Sequence, residues 1–367
     1  MAGRLSGALL APGGWLEGEV GWNDAGVITA IEGKPAAAPA PAAERIVAGF
    51  VDLHVHGGGG CDAMEGADAV RGMAAHHLRQ GTVALAPTTM TAAPEDVAAA
   101  LRGIAAARAE PAADAAEIVG AHLEGPFINP GCLGAQPPLT MEYDAELLAG
   151  WLKLGRIAVA TIAVELEGGM AMLGQLRQAG CKVQLGHTAA RRAQIEEALA
   201  EGLDGFTHLY NAMSRFQHRG DSVAACALAL ARHAEVICDL RHVEAPALLA
   251  AWRAIPGLYA VTDSTAAAGQ PDGPCRLGGQ EVKKEGGRVL TADGALAGTA
   301  MSMLDARRNL IAAGFDEIDA QEMVAARPAA YLGLPCGTIA PGSQAHLLTL
   351  AGGELQEVRL AGRLIEA

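Results

Sequence analysis

Between about residues 49 and 264 this chain repeats one pattern. A short apolar run ends in a polar residue beside Gly, Pro, Ser or Asn, and a helical stretch follows. The apolar runs are 49–56, 82–89, 118–125, 157–165, 182–188, 205–212, 234–242 and 258–264. Helical patterns between them include 66–80, 94–109, 143–154, 168–179, 190–201, 221–232 and 244–254. The runs are nearly continuous in apolar residues, as parallel strands covered on both faces must be. Eight such strands with helical crossovers predict an α/β fold, a (β/α)8 TIM-like barrel rather than an open sheet. The chain is 51% apolar but only 4% aromatic, so Ala, Leu and Val must fill the core.

The two ends read differently. GALLAP, WLEGEVGW and GVITAIEG resemble hairpin strands, and KPAAAPAPAAE follows as an extended linker. After Gly337, GTIAPGSQAHLLTL and ELQEVRLAGRLIEA are strand-like again. Neither end is long enough to fold alone. The reading pairs 1–48 with 337–367 as a small β-sandwich domain and leaves 49–336 to the barrel. The Gly-rich segment 265–300 is expected as an insertion over the barrel mouth.

Several function classes fall away. The net charge is −14 with no basic run, which argues against a nucleic-acid partner. No apolar stretch reaches the roughly 18 residues of a membrane span. The seven cysteines, Cys61, Cys132, Cys181, Cys226, Cys238, Cys275 and Cys336, are odd in number and form no C-x-x-C pair. A disulfide framework is not expected, and a reducing cytoplasm is.

Six residues that carry chemistry stand at the predicted strand ends. His54 and His56 lie in GFVDLHVHGGGG, Glu124 in IVGAHLEGPF, His187 in KVQLGHT, His208 in GFTHLYNAMS and Asp263 in LYAVTDS. A parallel barrel gathers such ends on one face. His54 and His56, two apart on a strand, share a side. A lone H-x-H is as readily a core or surface pair, but this one closes the first strand and runs into four glycines. A buried Glu124 requires a partner, and an arginine salt bridge is its plain alternative. His187 and His208 taken singly read as core histidines. With Glu124 they form the two-His, one-carboxylate set of a catalytic zinc site with room for water. Asp263 is placed to carry a proton for that water, or to cap whatever follows it. His76 and His77 read as surface residues of a helix, and His122 shares a strand face with Glu124.

The segments GFVDLHVHG, HLEGPFINP, LGHTAA, THLYNAM, HVEA, VTDS and LAGTAMSM occur in that order. Through them the chain resembles the N-acetylglucosamine-6-phosphate deacetylases of the amidohydrolase superfamily over nearly its whole length. The resemblance implies deacetylation of an N-acetylhexosamine 6-phosphate with zinc, or iron, and one or two ions per subunit. It implies that Glu124, His187 and His208 hold the main ion, and that His54 and His56 allow a second. Asp263 is then the general base and afterwards the acid. Asn211 and Ala212 contact the sugar phosphate. Arg219 serves the phosphate of a neighbouring subunit, which implies a homodimer. His242, Ala135 and the Leu296-Ala297-Gly298 turn are further substrate contacts.

The chain departs from the family in two places. Gln136 stands where the family has a histidine that polarises the acetyl carbonyl; an amide donates a hydrogen bond but does not titrate. The usual A-D-G-x-H reads Cys238-Asp239-Leu240-Arg241-His242, where Arg241 is a phosphate contact or a surface ion-pair partner. These departures keep two alternatives open: deacetylation of N-acetylgalactosamine 6-phosphate, and a sugar-phosphate binding protein without catalysis. No lysine ends a strand, which argues against the cyclic-amide hydrolases.

Overall fold

The structure is a computed structural model and describes residues 2–366. Its first strands are β1 (Gly3–Ala11), β2 (Gly14–Trp22), β3 (Ile28–Pro35) and β4 (Arg45–Ala48). Eight parallel segments follow: β5 (Phe50–Val55), β6 (Thr82–Pro87), β7 (Ala121–Glu124), β8 (Ile157–Ile162), β9 (Lys182–Leu185), β10 (Gly205–Phe206), β11 (His233–Ile237) and β12 (Gly257–Val261). Strand pairing joins β5 to β6, β7 through β10 in order, and β11 to β12. Backbone hydrogen bonds beyond the named strands make the other junctions. Thr89 N–H donates to His122, Leu209 N–H to Glu235 and Asp263 N–H to His54, each at 2.9 Å. The bonds therefore run from segment to segment and return to the first.

Helices Ala67–Arg79, Pro94–Ala109, Ala145–Leu152, Gly169–Gln178, Arg192–Ala200, Val223–Leu230 and Ala245–Ala254 lie between these strands, close to where the periodicity put them. Helix Ala67–Arg79 shows why. It buries Val70, Met73, Ala74, His77 and Leu78, one stripe at helical spacing. The reading of His77 as a surface residue is therefore corrected. It occupies the core stripe, and its Nε2 donates to the Gly57 carbonyl at 2.9 Å. Burial lowers its pKa to about 4, which keeps the ring neutral. Helix Met303–Ala312, absent from the sequence reading, begins at a capping box of Ser302 and Asp305.

The strands stop earlier than expected. Runs read to residues 188, 212, 242 and 264 end as strands at Leu185, Phe206, Ile237 and Val261. Beyond those points φ turns positive at His187 (48°), His208 (27°), Tyr210 (80°), Ala212 (48°), Leu240 (58°) and Asp263 (48°). A pleated strand cannot continue through left-handed residues.

Strands from the two chain ends lie in one sheet. Strands β17 (Leu347–Ala351), β18 (Glu354–Leu360) and β19 (Arg363–Ile365) join the first four in one sheet, ordered β19-β18-β17-β4-β1-β2-β3. The pairing is continuous through all seven strands, because β4 lies between β17 and β1. Leu9, Val20, Trp22, Ile28, Ile46 and Leu347 form the apolar cluster of this sheet. The 265–300 segment folds as a separate antiparallel sheet: β13 (Gly273–Leu277), β14 (Gln280–Glu285), β15 (Arg288–Leu290) and β16 (Leu296–Thr299). Among the described residues, no helix is long and apolar enough to cross a membrane.

Candidate active site

Three of the left-handed residues, His187, His208 and Asp263, are candidate chemical ones. Turning the backbone at His187, His208 and Asp263 swings their side chains over the strand ends. Such non-glycine conformations cost of order 1–3 kcal/mol each and persist where surrounding structure holds them. Neighbouring backbone supplies the hold. His187 Nδ1 donates to the Cys132 carbonyl at 2.8 Å, and the Asp263 carbonyl accepts from Thr299 N–H at 2.8 Å. The second contact requires Gly298. A Cβ there would lie 2.7 Å from the Asp263 oxygen.

Two groups of donor atoms result. Glu124 Oε1 lies 3.1 Å from Nε2 of both His187 and His208, and those two nitrogens are 3.0 Å apart. His56 Nε2 lies 3.2 Å from His54 Nε2, 3.3 Å from Asp263 Oδ1 and 3.2 Å from Glu124 Oε2. The structure thus brings together all five expected metal ligands and Asp263. Glu124 stands between the groups with one oxygen toward each.

All six are buried. Burial alone pushes the carboxyls up and the imidazoles down, but their mutual attraction outweighs it. The His54 and His187 charges hold Glu124 well below the usual carboxylate range. The His54 charge and the His56 hydrogen bond hold Asp263 at about 2. Hydrogen bonds with Asp263 and Glu124 lift His56 to about 9. The charges of Glu124, Glu235 and Asp263 raise His54 well above 6.5. The pocket therefore asks for positive charge, and a divalent cation answers that demand in place of protons. Imidazole nitrogens and carboxylate oxygens converging this closely fit such an ion.

A pocket of about 250 Å³ opens onto these atoms. Its walls include Ala135, Gln136, Asn211, Ala212, His242, Leu296 and Gly298, all expected as substrate contacts. His242 is oriented by Asp239, whose Oδ2 accepts from Nδ1 at 2.7 Å. Among the described residues lining the pocket, Arg241 is the one arginine or lysine. Its guanidinium donates to the Gly286 carbonyl of the inserted sheet at 3.2 Å.

Three expected site residues stand apart from the others. Ala297 is fully buried and packs in the cluster under the inserted sheet. Arg219 is exposed and does not line the pocket. Gln136 lines it, but both ends of its amide are taken. Oε1 accepts from Thr91 N–H and Nε2 donates to Glu124 Oε2, each at 2.7 Å. It grips a metal-site carboxylate with one of its two amide hydrogens.

Glu235 was missed by the sequence reading. It is fully buried, and its Oε1 lies 2.5 Å from His54 Nδ1. The signal was present: HAEVI is a buried strand with a carboxylate at its centre, and an unpaired buried carboxylate is costly.

No family model matches the chain. The chain is 35% identical over 366 residues to an N-acetylgalactosamine-6-phosphate deacetylase of Escherichia coli O157:H7, covering 97% of each. It is 33% identical over 307 residues to an N-acetylglucosamine-6-phosphate deacetylase of Bacillus subtilis (strain 168), covering 80% of this chain and 78% of that one. A solved N-acetyl-D-glucosamine-6-phosphate deacetylase mutant of Mycobacterium smegmatis, in complex with N-acetyl-D-glucosamine-6-phosphate, superposes with a TM-score of 0.91 at 28% identity, covering 100% of this chain and 99% of that one. The chain belongs to the N-acetylglucosamine-6-phosphate deacetylase family. It is accordingly a hydrolase of amide bonds, in the amidohydrolase superfamily.

Proposed function

We propose that this chain hydrolyses the acetamide of N-acetyl-D-glucosamine 6-phosphate, giving acetate and D-glucosamine 6-phosphate. The observation that carries the reading is one carboxylate oxygen, Glu124 Oε1, facing two imidazoles at 3.1 Å beneath a pocket open to substrate. A divalent ion held there supplies Lewis-acid polarisation of the acetyl carbonyl and a more acidic water. Glu124, His187 and His208 are the residues to hold it; His54 and His56, with Asp263, offer a place for a second. Asp263 takes the proton of the attacking water and returns it to the nitrogen as the C–N bond breaks. His242, Asn211, Ala212, Ala135, Leu296 and Gly298 enclose the sugar. Zinc is the expected metal, since imidazole and carboxylate donors suit it, and iron is the second choice.

The rest of the reading follows from placement. Residues 49–336 form a (β/α)8 barrel, and 1–48 with 337–367 form a β-domain that carries no chemistry. Arg241 faces the phosphate from within the chain. Arg219, exposed outside this pocket, reaches the phosphate in a partner subunit, which makes the active form a homodimer. Seven free cysteines suit the cytoplasm.

The test is steady-state kinetics on N-acetylglucosamine and N-acetylgalactosamine, each with and without 6-phosphate. We expect the highest kcat/KM for N-acetylglucosamine 6-phosphate, and a rise in KM for phosphorylated substrates alone in Arg241→Ala and Arg219→Ala. Preference for the galactosamine epimer is the second reading, favoured by the 35% identical E. coli relative. No acetate from any of the four overturns both.

A further inference from the structure

Below the metal-ligand groups, the interior of the strand ring is polar where an apolar filling is the rule. Glu235, on β11, is at its head. Its Oε1 does two things: it faces His54 Nδ1 at 2.5 Å and accepts the backbone N–H of His208 at 3.1 Å. Its Oε2 lies 3.5 Å from the Tyr259 hydroxyl, which accepts from the Gln184 amide at 2.6 Å. Gln184 Oε1 accepts from Thr207, Thr207 pairs with Thr161 at 2.7 Å, and Thr161 meets His122 Nε2 at 2.7 Å. His122 Nδ1 closes the path on the Leu53 carbonyl at 3.0 Å, one residue before His54. Every side chain in this path is buried.

Glu235 is thus the one carboxylate touching both donor groups from beneath: the ring of His54 in one and the backbone of His208 in the other. With a carboxylate on Nδ1, His54 keeps that proton when a metal ion displaces the other, and Nε2 then offers its lone pair. That lone pair points to where His56 Nε2 and Asp263 Oδ1 converge, 3.2 and 3.6 Å away. A carboxylate behind an imidazole also makes it the more basic ligand, and losing such a partner weakens metal binding roughly 10–100-fold. An amide of the same shape fills the space without the charge.

We propose that Glu235 is a positioning residue that builds the second metal position, by fixing the tautomer and basicity of His54. The proposal rests on the metal-hydrolase reading above, and its test does not depend on turnover. Zinc is titrated into the full chain after chelation, in competition with a chromophoric chelator, for the wild type, Glu235→Gln and Tyr259→Phe. The wild type is expected to bind two zinc ions. Glu235→Gln is expected to lose affinity for the weaker ion by roughly 10–100-fold and to hold the tighter one within about threefold. Tyr259→Phe removes the far contact of the same carboxylate, so both affinities should stay near wild type. Nitrogen NMR of labelled histidine reads the tautomer directly: His54 should carry its proton on Nδ1 in the zinc-loaded wild type. Equal weakening of both ions in Glu235→Gln means a general structural role and overturns the proposal. So does an unchanged weaker site, or a wild type that never exceeds one zinc. A chain that binds two zinc ions with this pattern yet releases no acetate leaves the proposal standing and sinks the deacetylase reading.

Discussion

The mouth of the strand ring and the terminal sheet are built from opposite choices. The terminal sheet pairs strand to strand without interruption, with local bulges at Gly21/Trp22 and Thr349/Leu350, and closes over apolar side chains such as Leu9, Val20 and Leu347. Its buried arginine, Arg45, is answered by Glu317 at 2.6 Å and by the Ala40 and Pro41 carbonyls. The mouth breaks register at left-handed residues and crowds buried imidazoles against two carboxylates. The sheet's buried charge is matched by a partner from a neighbouring helix; the mouth gathers charges that a bound cation would balance in place of protons. Activity should therefore be sensitive at the mouth, and stability at the sheet.

The largest test of that division is Glu124→Ala. Glu124 faces both donor groups, so its loss should remove bound metal and activity together. Elemental analysis on the purified variant decides it; full metal occupancy would remove Glu124 from the site. Asp263→Asn is next. It keeps the shape but cannot accept a proton, so turnover should fall by roughly two to four orders of magnitude with metal retained. Near-normal turnover would return Asp263 to a structural role.

These two residues were legible in the sequence because a carboxylate beside a glycine, proline or serine at the end of an apolar run has few bland explanations. The same pattern gave the alternation of strands and helices. What it did not give was backbone that leaves the strand. His187, His208 and Asp263 look like ordinary strand continuations until their positive φ is seen. Gln136 shows another limit. Its place near Glu124 followed from HLEGPF, yet the direction of its amide depends on Thr91, 45 residues away in the chain. Glu235 was hidden for a related reason: its partner, His54, is 181 residues distant, and no local spacing reports that contact.

Leu9→Ala probes the other side of the comparison. Leu9 is fully buried and lies in register with Leu16 on β2 and Ile46 on β4. Truncating it should cost about 2–5 kcal/mol in urea unfolding. The kcat of the folded enzyme should stay within about twofold. A fall in kcat matching the loss of stability would mean that the sheet shapes the mouth, and the division between the two regions would not hold.

The finest test sets one residue type against itself. At the mouth, neighbouring carboxylates lift His54, His56 and His208 above 6.5 against the effect of burial. In the terminal sheet, burial alone lowers His346 to about 4. Its Nδ1 accepts from the Ala361 N–H at 3.0 Å, which a neutral ring permits and a protonated nitrogen does not. The sign follows from the depressed value. The folded chain resists a proton that the unfolded chain takes near pH 6.5, so the His346 contribution is complete above that pH. It fades as pH falls from 6.5 toward 4, and between pH 7.5 and 5.5 the loss should be about 1 kcal/mol. His346→Asn keeps an acceptor near Ala361 and does not titrate. Unfolding free energies at the two pH values, at fixed metal loading, should therefore differ by about 1 kcal/mol less in the variant than in the wild type. His77 and His122, also buried and neutral, contribute equally to both proteins and cancel in the difference. An identical pH slope would show that His346 takes up its proton as readily folded as unfolded. The contrast between a charged mouth and a neutral sheet would then fail at its simplest point.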